Sequence, residues 1–179
     1  MDALKSRKAA IAVFVAVVLV FSLLGFRLSL DRRCRAIERA FFADTLTSPG
    51  TQLGECAKYA NRILSVIRGQ LDDSLYAAVS SSRGALVEAL EAQDIAAAAS
   101  ANRALISAVD AAAQAAEGRS FDTTENFPQL LSDFAGAERV AASSDYNETV
   151  ERFVKNTAER FPADLLRRIV PVDMPEKFE

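Results

Sequence analysis

Proton transfer near neutral pH and nitrogen ligation of metals both favour histidine, and this 179-residue chain has none. Histidine-based triads and histidine metal sites are therefore excluded. Cys34 and Cys56 are too widely separated to form a close metal-binding pair. They read either as a bridge across a helical hairpin or as two buried thiols, the commoner fate of isolated cysteines. Glu88, Glu91 and Asp94 bring three acids together, a pattern that without further ligands belongs to a solvated helix face. Gly50 and Gly54 stand apart from any lysine-serine phosphate motif and from any strand. Asn102, Tyr146 and Asn147 offer polar contacts that suit either a ligand between helices or ordinary packing. None of these groups makes a catalytic constellation, so the expectation is a protein that is not an enzyme and uses no cofactor or metal.

The charge balance points away from a nucleic-acid partner. With 21 basic and 24 acidic residues the net charge is −3, which offers no general attraction to phosphate backbones. The apolar content is uneven, and residues 9–26, AAIAVFVAVVLVFSLLGF, contain no charge. Their number fits the roughly 17–25 residues needed to cross a bilayer as a helix. A cleaved secretory signal shares this charged start and apolar middle. No small-x-small site follows, however, and RLSLDRRCRAIERAF continues as a helical pattern, so the expectation is an uncleaved single-span anchor in the lipid bilayer. Lys5, Arg7 and Lys8 precede the span; Arg27, Arg32, Arg33, Arg35 and Arg39 follow it. Counting basic residues leans toward a cytoplasmic carboxy-terminal domain on the cell membrane.

Beyond the span, the apolar period is helical throughout. Leu53, Ala57, Ala60, Leu64, Ile67, Leu71, Leu75 and Ala78 recur at three- and four-residue steps and predict one helix face. Ile95, Ala98, Asn102, Leu105, Val109, Ala112 and Ala116 predict a second, whose alanines permit close helix approach. Between them, a break near residues 80–84 and one long helix reaching Leu90 are both compatible with the pattern. Gly118 stops the second helix, and Asp122, Thr123, Thr124 and Asn126 are candidate caps for the next. Its stripe runs Phe127, Leu130, Leu131, Phe134, Ala137 and Ala141, then Tyr146, Val150, Phe153, Thr157 and Phe161, predicting one principal core helix. Pro162, Pro171 and Pro175 then end the regular structure, leaving a tail that lies along the bundle or hangs loose.

Several short segments occur in an order that resembles the LemA family. They are ENF at residues 125–127 followed by Leu130, AER at 137–139, DYNETV at 145–150, RFP at 160–162 and the closing FE of Phe178 and Glu179. The resemblance is specific over the last third. Where many relatives have an Arg-rich segment and DLIPNLV, this chain reads TSPGTQLGECAKYANRILSVI, and a second Tyr-Asn pair of the family is replaced by Phe153 and Val154. The resemblance implies an amino-terminal anchor, a helical bundle and a place beside other bacterial envelope proteins.

Taken together, the expected fold is all-α: a transmembrane helix followed by an antiparallel helical bundle of three to four long helices. The expected organisation is a basic tail at 1–8, the anchor at 9–26, the bundle at 27–162 and a proline-containing tail at 163–179. The expected role is that of a membrane-anchored, non-enzymatic interaction or scaffold protein with membrane or envelope proteins as partners. The alternative is a tethered sensory bundle binding a small ligand. The residues singled out as signature or packing positions are Asn126, Phe127, Glu138, Tyr146, Asn147, Val150, Phe161 and Pro162.

Overall fold

The computed structural model describes residues 2–121, 125–160 and 163–178. Phe161 and Pro162 lie outside the described residues, as do the candidate caps Asp122, Thr123 and Thr124. The fold is all-helical, with no strand among the described residues. Its helices are α1 (Asp2–Phe41), α2 (Pro49–Ile67), α3 (Asp73–Glu91), α4 (Ile95–Ala116), α5 (Phe127–Ala142), α6 (Tyr146–Phe153) and α7 (Ala163–Ile169). A π-helical turn, Val154–Ala158, extends α6. The chain divides into two compact units: Met1–Glu38 with Thr149–Pro175, and Arg39–Glu148 with Glu176–Glu179.

Helix α1, which belongs to the first unit up to Glu38, is 40 residues long, about 60 Å at 1.5 Å per residue. From Ala9 onward it is long and apolar enough to cross a membrane, a property it shares with a signal sequence. Phe14 and Phe21 are each 69% exposed, so most of the apolar stretch is left uncovered by the described residues. The buried residues of this unit, among those described, are Leu30, Cys34, Val150, Ala158, Ala163 and Pro175. The tail is more regular than its prolines suggest. Position 163 starts a helix that ends at Ile169, leaving Val170 outside it because the residue preceding a proline is driven out of the α region.

The second unit is a bundle of α2, α3, α4 and α5, in which α3 packs on α4 and α2 packs on both α3 and α5. Ser48 caps α2 by accepting the Thr51 N–H at 3.3 Å, with Pro49 in the first turn where its missing N–H costs nothing. Gly50 is required there: a Cβ on it would stand 2.8 Å from the Phe41 carbonyl oxygen. The start of α2 thus passes directly over the end of α1.

Two boundaries differ from the sequence expectation. The stripe from Leu53 to Ala78 is not one helix, because α2 ends at Ile67, Gly69 turns the chain at φ +68° and Asp72 caps α3 by accepting the Ser74 N–H at 2.7 Å. Leu71 is buried in that turn and Val79, rather than exposed Ala78, carries the apolar face onward. Residues 80–84 do not break the helix; they lie inside α3, which ends at Glu91, and the chain then turns at Gln93, a non-glycine residue at φ +55°. Likewise, the expected core helix from Phe127 to Phe161 is divided. Ser143, Ser144 and Asp145 separate α5 from α6, residue types whose side chains compete with helical backbone bonds.

Candidate functional site

Phe41, fully buried at the end of α1, organises an aromatic cluster. Its ring meets Tyr146 edge-on at 5.0 Å, Phe178 at 5.4 Å and Phe42 at 4.8 Å. Such geometries match the positive ring edge to a negative ring face. Tyr146 is therefore placed by packing, with its hydroxyl left to find a partner. It donates to the main-chain carbonyl of Glu176 at 2.9 Å.

Asn147 completes the capture. Its carboxamide carries the same donor and acceptor pair as a peptide group and can satisfy both main-chain groups of one residue. Its Oδ1 accepts the Phe178 N–H at 2.8 Å while its Nδ2 donates to the Phe178 carbonyl. A third tie comes from the side chain of Glu176, whose Oε2 accepts the Ala96 N–H at 3.3 Å in the first turn of α4. An acid is favourable at that end of a helix, where N–H groups lack intrahelical acceptors. The C-terminal segment is thus clamped onto the bundle rather than hanging loose.

Asn126, Phe127 and Glu138 belong to the bundle. Asn126 caps α5 by accepting the Gln129 N–H at 3.2 Å. Phe127 is buried beside the Phe121 ring, with centroids 4.8 Å apart. Glu125, next to this cap, pairs with Arg62 of α2 at 2.5 Å. Val150 is buried midway along α6. Glu138 is half-buried on α5, close enough to Cys56 of α2 to act on its thiol. Burial first, and the Glu138 carboxylate second, push the Cys56 thiol up to about 12. Both cysteines are free and buried. The acids Glu88, Glu91 and Asp94 are exposed and converge on no metal cluster, with no such cluster found among the described residues. Asp94 instead caps α4 by accepting the Ala97 N–H at 2.8 Å.

Asn102 is different. It is 6% exposed on the inner face of α4, and its Oδ1 has no hydrogen-bond partner among the described residues. The surface grooves over α4, lined by Arg103 and Asp110, and between α3 and α4, lined by Ala89 and Ala101, do not include it.

The apolar stripe includes Tyr146 and has Asn147 at its border, but it does not indicate the partners of either. Phe41 was hidden because it ends the helix that emerges from the apolar stretch. Glu176 and Phe178 follow three prolines and lack any period; the closing FE marks Phe178, and nothing in the pattern marks Glu176. Comparison with family models, curated proteins and solved structures gives no match to this chain.

Proposed function

We propose that this protein is a non-enzymatic, membrane-anchored helical bundle that serves as an interaction or scaffold component of the bacterial envelope. The observation that carries the reading is the use made of its most distinctive polar pair. Tyr146 and Asn147 spend their hydrogen bonds on the chain's own C-terminal segment, so they order the bundle rather than presenting reactive groups. The charge-free stretch of α1, largely exposed among the described residues, supports a single-pass anchor in the lipid bilayer. The basic residues after it favour a cytoplasmic bundle. The segments resembling the LemA family favour envelope proteins as partners.

Photo-crosslinking in native membranes from exposed positions on α4, such as Arg103 and Gln114, tests this reading. Reproducible protein adducts are expected. Recovery of none, with specific stabilisation by a small molecule, would overturn it.

A second reading, a sensory bundle with a small ligand, draws on the orphaned Oδ1 of Asn102, since an unsatisfied buried acceptor is costly unless something meets it. A ligand that raises the melting temperature of the native chain but not of Asn102→Ala favours this reading.

A further inference from the structure

The clamp on residues 176–178 lies wholly within the second unit, to which Phe41, Ala96, Tyr146, Asn147 and the clamped segment all belong. The chain leaves that unit after Glu148 and returns to it only at Glu176. Residues 171–175, which lead into the clamp, carry neither helix nor strand. Pro171 and Pro175 lock φ and lack an N–H, so this linker does not wind into a helix.

The clamp holds its segment in a transferable way. Asn147 pairs with both main-chain groups of Phe178, and Tyr146 donates to the Glu176 carbonyl. Two side chains of the segment add to these bonds, the Phe178 ring against Phe41 and the Glu176 carboxylate on the Ala96 N–H. The seat is shallow, since Glu176 and Lys177 are exposed and Phe178 is half-buried. The helix pairs that hold the bundle, α3 with α4 and α2 with α3 and α5, do not include the segment, so its release unpacks none of them. Release does uncover apolar surface. Phe41 and Tyr146, now 0% and 5% exposed, lose the cover of the Phe178 ring and its main chain, and the Asn147 carboxamide loses both partners. Residues 176–178 of a second copy restore every one of these contacts, because exchange of an identical element changes no contact and costs only the association itself.

We propose that the clamp is also an intermolecular site, in which Tyr146 and Asn147 of one copy hold residues 176–178 of a second copy in place of their own. This inference rests on the reading of the protein as an interaction component, and gives that reading a surface and a partner. Complementation between full-length variants in detergent micelles tests it. Asn147→Ala leaves a copy with a sound segment and a weakened clamp, and Phe178→Ala leaves the reverse. An affinity-tagged Phe178→Ala copy should retain about tenfold more untagged Asn147→Ala than untagged Phe178→Ala, because only the mixed pair joins an intact clamp to an intact segment. Adding Phe178→Ala to the untagged Asn147→Ala copy should return retention to the level of the like pair. Equal retention in mixed and like pairs would overturn the inference, whatever contact α1 makes between copies. If Asn147→Ala does not fold, Asn147→Asp takes its place, keeping the acceptor for the Phe178 N–H and losing the donor to the carbonyl. Photo-crosslinks from α4 to other proteins, without extra retention in the mixed pair, remove the exchange alone. Extra retention in the mixed pair without such crosslinks leaves the exchange standing and removes the wider scaffold role.

Discussion

Asn147 and Phe178 exchange two hydrogen bonds, the side-chain carboxamide of one pairing with both main-chain groups of the other. A peptide group in an irregular tail has no helical partner, and leaving it unpaired when buried is costly. Asn147 supplies what a neighbouring strand would supply elsewhere. Because recognition is through main-chain atoms, the side chain of Phe178 remains available to pack on Phe41.

Tyr146 separates packing from hydrogen bonding. Tyr146→Phe keeps the edge-on contact with Phe41 and loses one bond to Glu176, so it should cost about 1 kcal/mol. Tyr146→Ala empties a site only 5% exposed and should cost about 3–5 kcal/mol. Denaturant unfolding measures both, and equal costs would contradict the packing role.

Gly50 and Gly54 make a contrasting pair within α2. A methyl on Gly50 meets the Phe41 carbonyl oxygen, so Gly50→Ala should destabilise by about 1–3 kcal/mol despite its better helix propensity. Nothing stands within 4 Å of a Cβ on Gly54, so Gly54→Ala should stabilise by about 0.5–1 kcal/mol. Thermal melts of the two variants should move in opposite directions.

Cys56 sets a pH dependence at the alkaline end. Its folded thiol is harder to ionise than its ordinary value of 9.0 allows, by burial first. The unfolded chain therefore loses this proton first as pH rises. Stability from this group is intact below pH 9.0 and declines toward pH about 12, at up to about 1.4 kcal/mol per pH unit. The difference between wild type and Cys56→Ala, followed by denaturant midpoint across that window, should show the decline in wild type only.

Asn102 is expected to be a cost. Asn102→Ala removes an unsatisfied buried acceptor and improves helix propensity, and should stabilise the protein by about 1 kcal/mol in denaturant unfolding. Destabilisation instead would mean that the Oδ1 has a bound partner.

The helical class and the anchor-like stretch were legible because the three- and four-residue period and an uncharged run survive in any context. Boundaries were less so. The apolar steps run unbroken through Leu71, so periodicity alone concealed the turn that Gly69 and Asp72 make. The division of α5 from α6 was hidden in the same way, with Ser143 to Asp145 the only local signal. Half of the clamp was legible, since Tyr146 and Asn147 lie on a helix face. Phe41, Glu176 and Phe178 were not, because contacts that join residues 41, 147 and 178 depend on tertiary geometry no local pattern encodes.

The most direct test of the clamp is a double-mutant cycle between Asn147→Ala and deletion of residues 176–179, read by denaturant unfolding of the full chain. Each change should cost about 1–3 kcal/mol, and together they should cost at least about 1 kcal/mol less than their sum, because both remove the same bonds. Strict additivity, with each change costing as much in the other's absence, would contradict the account.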